Sequence, residues 1–293
     1  MRDQAFGWGM LAPTLLVLVV TGAYPYVMNL FYSLRRWSVV FSAGSGDFVG
    51  IQNFVAAFGD RSFMSSMGRT LVFVGLILVC ELLLGLGVAL LFNRELRTKN
   101  LFRSLILLPM MLSPVVTAVV WRMLYSAQFG LLDYLLLALH ITNRRVEWLA
   151  DPRLAFLSLA VATIWMWFPF SFLVLTAALQ GISQDEYEAA WIDGASSWNA
   201  FRYISVPHLL PAVMVILLVR FIDGLKTFAL ILTLTGGGPA SATDLVYYHI
   251  YRVAFQMFDT GYSSALSIIL VVVSLLGSWL IWGTGRRFSP EVP

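Results

Sequence analysis

Charge is what this sequence has least of. Asp, Glu, Lys and Arg make up 12% of its 293 residues, against about 25% in soluble domains. Cysteine is nearly missing as well. Cys80 stands alone inside an apolar run, which excludes an internal disulfide framework and a thiolate metal cluster. The three histidines, His140, His208 and His249, lie far apart and lack metal-ligand spacing. Basic residues are scattered under a formal net charge of +3, so no stripe for nucleic acid forms. No GxxxxGK[ST] phosphate loop, HExxH helix or GxSxG elbow occurs. The chain therefore carries no signature for hydrolysing ATP, a peptide or an ester.

What is present is apolar: 59% of the residues are hydrophobic, and several runs reach the roughly 20 residues that cross a bilayer as a helix. Six spans fit, at about 8–32, 69–93, 104–125, 154–180, 209–234 and 263–283. This predicts an all-α polytopic membrane protein, with 1–293 as a single transmembrane domain. Pro13 and Pro25 fall in the first span, where Pro25 is expected to kink the helix, and Pro109 and Pro114 interrupt the third. The first apolar run continues to Leu34, longer than a signal-peptide core, so it reads as a retained span. Ser33 to Gly68 is polar and reads as exposed; Leu131 to Leu139, too short to span, reads as an interfacial helix. A glycine-rich loop is expected up to Tyr262. Basic residues divide almost evenly between the two sides. The cluster Arg94, Arg97, Lys99 and Arg103 lies in the shortest loop, where the positive-inside rule acts best, and it favours both termini inside.

One polar stretch interrupts the apolar pattern, GISQDEYEAAWIDGASSWNAFRYISVPHLLP from Gly181 to Pro211. Ser183 with Glu186 three residues later predicts a capping box, and Asp185 and Glu186 suit the positive end of a helix dipole. Tyr187, Ala190, Trp191 and Gly194 share a helix face, and Gly194 suits a helix stop. Ser196 or Ser197 can cap a second short helix, which Pro207 is expected to limit. A helix–turn–helix at the membrane surface follows. Physical reasoning leaves two roles open for it: a docking surface for another protein, or an amphipathic hairpin packed on its own bundle.

Ionisable groups within spans are costly and so mark function by default. Arg220, Asp223 and Lys226 recur at spacing three in the fifth span. They form either a structural ion pair bridged by Asp223 or a polar wall of a path. Glu81, alone in the second span, reads as a hydrogen-bonded packing residue or a path residue. Trp165, Trp167 and Phe168 precede Pro169 in the fourth span; they either line a path or simply pack.

Glu188-Ala189-Ala190, then Gly194, Ile204 and Val206-Pro207 at fixed spacing, resemble the EAA signature of permease subunits of binding-protein-dependent ABC importers. Val206 stands where that family usually has leucine. Phe48-Val49-Gly50-Ile51-Gln52-Asn53-Phe54, the stretch Arg220 to Thr227, and Leu234-Thr235-Gly236-Gly237-Gly238-Pro239 are similar to motifs of its maltose- and glycerol-phosphate-type group. Relatives commonly place aspartate after the residue matching Phe228, where this chain has Ala229.

The resemblance covers nearly the whole chain and implies a bacterial or archaeal inner-membrane sugar permease. The helix between spans 4 and 5 would be a cytoplasmic coupling helix contacting an ATPase through Glu188, Ala189, Ala190, Asp193 and Gly194, with Pro207 closing the motif. Both termini would then be cytoplasmic. Arg220, Asp223, Lys226, Phe228, Trp165, Trp167 and Glu81 would be candidates for the substrate path. Gly236, Gly237, Gly238 and Pro239 would form a periplasmic turn near the docked binding protein. The chain would bind no cofactor itself, with ATP and Mg on two partner ATPase subunits. A second, non-identical permease and a solute-binding protein would complete an alternating-access importer. Glycerol 3-phosphate is an alternative cargo. An ion-coupled secondary transporter fits less well, because no inverted repeat is visible, and an intramembrane enzyme lacks its motifs.

Overall fold

A computed structural model describes residues 2–40, 44, 46–93 and 99–288. Arg94 and Arg97 of the basic loop lie outside the described residues. In chain order come α1 (Arg2–Leu18), a π-helical turn (Val19–Ala23) and α2 (Tyr24–Ser33). Strands β1 (Arg35–Arg36) and β2 (Asp47–Phe48) precede α3 (Gln52–Gly59), α4 (Arg61–Phe92), α5 (Lys99–Met111), α6 (Pro114–Leu124), α7 (Leu131–Ala138) and α8 (Pro152–Gln180). Next are α9 (Gln184–Ile192) and α10 (Ser197–Ala200), which runs through a second π-helical turn (Phe201–Ser205) into α11 (Val206–Leu225). Finally come α12 (Ala229–Leu234), α13 (Val246–Phe255) and α14 (Thr260–Phe288).

Among the described residues, five helical stretches are long and apolar enough to cross a membrane: Met10–Ser33, Arg61–Phe92, Pro152–Gln180, Ser197–Leu225 and Thr260–Gly285. Asn100–Met111 and Pro114–Leu124 pass the same test together and are bent by 99° at their junction, a broken span or a re-entrant loop. The chain is an all-α polytopic membrane protein with five such spans, or six with the bent pair counted as the third.

Prolines shape these spans in three ways. Pro114 opens α6 at its first turn, where its missing N–H is not needed, and Ser113 caps that end by accepting from Val116 N at 3.3 Å. Pro109 and Pro169 stay inside α5 and α8 without ending them. Pro25 and Pro207 each follow a π-helical turn by two residues. The N–H just before each proline, on Tyr24 and Val206, bonds five residues back, to Val19 O and Phe201 O. A widened turn moves the carbonyl that a proline ring would strike. The expectation that Pro207 limits a short second helix is thereby corrected: Ser197–Leu225 runs as one helical stretch.

Other boundaries differ as well. The fifth span begins well before Leu209 and breaks at Lys226–Phe228 before α12. The stretch expected as a loop up to Tyr262 contains α13, and the polar stretch before the second span contains α3.

The chain divides into two compact units, one of Met1–Ser65 with His249–Val273, the other of Ser66–Tyr248 with Ser274–Pro293. In the first unit, β1 and β2 pair antiparallel, Arg35 opposite Phe48 and Arg36 opposite Asp47. The FVGIQNF motif builds this corner. Val49 N and Gly50 N both donate to Leu34 O, and Asn53 Nδ2 donates to Ser33 O (2.9 Å) and Arg35 O (2.8 Å). Gly261 N donates to Trp37 O at 2.8 Å, and a Cβ on Gly261 would collide with Arg35 O.

In the second unit α8 is the central element, packed against α5, α6, α11 and α12. Its buried Phe172, Leu175 and Leu179 join Ala89, Ile182, Leu209 and Ile216 in one apolar core. α4 crosses α8 at Gly85, where a Cβ would lie 2.6 Å from Ser171 Cβ and 2.9 Å from Phe172 N. Only a glycine lets the two backbones approach this closely, a common device where helices meet in lipid. After α6 the chain turns into α7, whose buried Asp133 accepts from Trp148 Nε1 (2.8 Å) and Val146 N. That carboxylate ties down the segment leading to α8.

Candidate functional site

The polar insert folds as a short exposed helix on the second unit. Ser183 caps α9 by accepting from Asp185 N at 3.3 Å. The reciprocal bond expected of a capping box is replaced, because the Glu186 carboxylate faces His208 Nε2 at 3.5 Å. At the other end, Gly194 has φ +82° in open space. Gly194 N donates to Trp191 O and Ala195 N to Ala190 O, the paired closure of a Schellman stop. Ser196 then caps α10, accepting from Asn199 N at 3.3 Å.

Glu188, Ala189, Asp193 and Gly194 are exposed on and just after α9, whereas Ala190 is half-buried on the same side of the helix as the half-buried Tyr187. Glu188 accepts from Gln184 Nε2 at 2.9 Å. Pro207 stands apart from this face, inside the Ser197–Leu225 helix. Trp191, Ile192, Trp198 and Tyr203 add exposed apolar surface, with Ile192 86% exposed. A short helix that shows acids and bare apolar side chains together suits a protein partner better than water alone.

The charged residues of the spans meet on α11 and α4. Arg220 Nε donates to Glu81 Oε2 at 2.7 Å and Arg220 Nη2 to Glu81 Oε1 at 2.9 Å, with side chains only 2% and 0% exposed. Trp167 of α8 lies against the same guanidinium, its ring centre 4.6 Å from Cζ. Asp223 lies 3.6 Å from Arg220 Nη1 and 3.6 Å from Lys226 Nζ, and both Asp223 and Lys226 are open to solvent-sized space. Burial thus separates two roles along one helix face. Arg220 is occupied, while Asp223 and Lys226 look out.

They look onto a cavity of about 450 Å³ whose wall includes Trp167, Arg220, Asp223, Lys226, Phe228 and Tyr247. The break after Leu225 forms this wall, because Phe228 (φ −135°, ψ −65°) leaves the helical conformation before α12 starts. Phe228 and Tyr247 meet edge to face at 6.1 Å. Glu81 does not line the cavity, and Trp165 turns instead toward Trp121 at 5.8 Å. Tyr247 is a wall residue that a loop reading of its segment conceals. The run VYYHIYRVAF, with aromatics at 247, 251 and 255, carries the helical period that marks it. Val246 N donates to Thr70 Oγ1 at 2.8 Å and holds the start of α13 in place.

The glycine-rich turn follows α12. Gly236 (φ +60°) and Gly237 (φ +83°) adopt the left-handed region, and Gly238–Pro239 is cis. Thr243 Oγ1 lies 2.7 Å from both Gly238 O and Thr235 Oγ1, and Tyr248 Oη donates to Gly236 O at 3.0 Å. A Cβ on Gly237 would meet the Tyr248 ring at 2.6 Å. The turn is a packed element.

Residues 81–288 match the sequence model of the family described as binding-protein-dependent transport system inner membrane component. The trehalose/maltose transport system permease protein MalF of Thermococcus litoralis is 35% identical over 285 residues, covering 97% of this chain and 95% of that protein. The sn-glycerol-3-phosphate transport system permease protein UgpA of Agrobacterium fabrum is 31% identical over 267 residues, covering 90% and 89%. Among solved structures, a chain of a bacterial ABC transporter that imports the acidic polysaccharide alginate superposes with TM-score 0.85 at 23% identity, covering 99% of this chain and 98% of that one.

Proposed function

The chain belongs to the family of binding-protein-dependent transport system inner membrane components, and on that premise we propose that it is the permease subunit of an ATP-driven sugar importer. One observation carries the reading. The exposed helix α9, stopped at Gly194 between the fourth and fifth spans, presents Glu188, Ala189 and the following Asp193 uncovered among the described residues. In this reading α9 is the coupling helix and seats in a cleft of an ATPase subunit. The insert and both termini then face the cytoplasm, and the GGGP turn faces outward toward a solute-binding protein. One coupling helix per chain requires a second permease to engage the second of two ATPases, and the family resemblance implies a non-identical one. ATP and Mg act on those ATPases. The membrane is the inner or plasma membrane of a bacterium or archaeon.

The substrate path runs by the cavity at Asp223, Lys226, Phe228, Trp167 and Tyr247. A carbohydrate is supported over glycerol 3-phosphate by the charge pairing. Arg220 is engaged by Glu81, and Lys226 has Asp223 beside it, which leaves neither as an unshared cation for a phosphate. Hydroxyl groups suit the half-exposed carboxylate, and aromatic faces suit sugar C–H groups. Alternating access would open this cavity first to one side and then to the other.

The test is Glu188→Lys and Gly194→Asp in the assembled transporter. Both variants are expected to reach the membrane, lose the ATPase on purification and abolish uptake. Normal uptake by either variant would refute docking through α9. Stimulation of ATP hydrolysis by trehalose or maltose, with no response to glycerol 3-phosphate, is the result expected for cargo.

A further inference from the structure

α9 is joined to its neighbours in sequence by weak links. Gly181–Ser183 connects it to α8, and Asp193–Ser196, containing the left-handed Gly194, connects it to α10. A push on α9 through those links alone would be absorbed by loop rotation. One side-chain hydrogen bond and one longer side-chain contact bypass them. Tyr187 Oη lies 2.9 Å from Ser205 Oγ, and Glu186 Oε2 lies 3.5 Å from His208 Nε2. Both partners belong to the Ser197–Leu225 helix, one inside its π-helical turn and the other on the first turn of α11.

The chemistry of each bond is specific. Ser205 is buried at 4% exposure, and its hydroxyl meets Tyr187 at the wall of a cavity of about 430 Å³ that also includes Asn93, Trp191 and Phe201. The Tyr187 ring also packs against the apolar core and lies 6.2 Å from the Trp191 ring, and the hydroxyl bond is what directs its tip onto the π-helical turn. His208 Nδ1 lies 2.8 Å from Ile204 O. A carbonyl only accepts, so Nδ1 carries a proton, and Nε2 attracts the Glu186 carboxylate only in the imidazolium form, when it carries one too. The far end of the same helix carries Arg220 and Asp223 at the path.

We infer that Tyr187, through Ser205, and Glu186, through His208, are positioning residues that clamp the coupling helix to the fifth span, so that ATPase movement drives that span as a lever. The inference rests on the docking reading for α9. Tyr187 and Glu186 touch neither cargo nor nucleotide; they act by making α9 and Ser197–Leu225 move together.

The experiment uses the whole transporter in proteoliposomes, in a Cys80→Ser background with a reporter thiol at Ile222→Cys. Wild-type contacts are expected to give a change in thiol labelling rate between nucleotide-free and ATP-bound states. Tyr187→Phe and Ser205→Ala are each expected to shrink that change about two- to tenfold, the worth of one neutral hydrogen bond. The double variant should lose no more than either single one, and Ser205→Thr, which keeps the hydroxyl, should restore the response. ATPase recovery with each variant is measured on the same samples. An undiminished response in Tyr187→Phe, or loss of the ATPase from it, overturns the clamp. Failure of the docking reading shows separately, as a chain with native contacts that recovers no ATPase or as a Glu188→Lys chain that recovers it fully.

Discussion

Arg220 and Glu81 stand 139 positions apart in sequence and share two hydrogen bonds of 2.7 and 2.9 Å in the interior of the second unit. Removing one partner leaves an uncompensated charge in a low-dielectric setting, which typically costs about 3–5 kcal/mol. Arg220→Ala and Glu81→Ala are each expected to lower the melting temperature in detergent and the yield of folded chain. Glu81→Ala/Arg220→Ala should be less damaging than the two losses added together. Additive losses would show that the groups do not depend on each other.

Asp223 differs from Arg220 in exposure rather than in carrying charge. At 41% exposure its carboxylate borders the cavity, so Asp223→Asn removes little packing. Uptake by the reconstituted importer is expected to fall about tenfold, the loss of one charge-assisted contact, with an unchanged melting temperature. An equal drop in stability would make Asp223 structural.

Two glycines of α4 make an internal control for helix crossing. At Gly87 an added methyl group would have nothing within 4 Å, whereas at Gly85 it would face Ser171 and Phe172 at 2.6 and 2.9 Å. Alanine favours a helix over glycine by about 1 kcal/mol. Gly87→Ala should therefore stabilise slightly or be neutral. Gly85→Ala should destabilise by about 1–3 kcal/mol, because backbone atoms of α8 cannot give way. Thermal unfolding of the two variants side by side checks the sign.

Asp60 links pH to the first unit. Burial pushes its carboxyl up, but the bond from Tyr262 Oη, the Ser62 and Phe63 amides and nearby His249 together hold it below the usual carboxylate range. A lowered folded value means that the contribution is complete above the unfolded value of about 3.9 and is lost as pH falls through the folded one. Asp60→Asn and Tyr262→Phe are expected to flatten that part of the acid-induced fall in melting temperature while leaving the slope above pH ~5 unchanged.

Helix identity and the insert are legible in the sequence because each depends on neighbours a few residues away. The run from Ser183 to Gly194 contains both the cap and the stop of α9. Pro207 misleads because a proline reads as a boundary unless a widened turn precedes it, and nothing in the composition of Phe201 to Ser205 announces a π-helical turn. The Glu81–Arg220 pair is illegible for a different reason. Spacing on α11 ties Arg220 to Asp223, whereas the stronger bond comes from another helix. Trp165 and Trp167 look equivalent in the sequence. Side chains two positions apart on a helix point about 200° apart, so Trp167 meets Arg220 and Trp165 meets Trp121.

The distance between Glu81 and Arg220 along the chain also sets a timetable for synthesis. At about 5–20 residues per second, the ribosome needs roughly 7–28 s to pass from one to the other. The second span is finished long before its cation exists. A fragment that ends between Glu81 and Arg220 contains the acid without its counter-charge, so every chain spends that interval with a carboxylate it cannot bury cheaply in the bilayer.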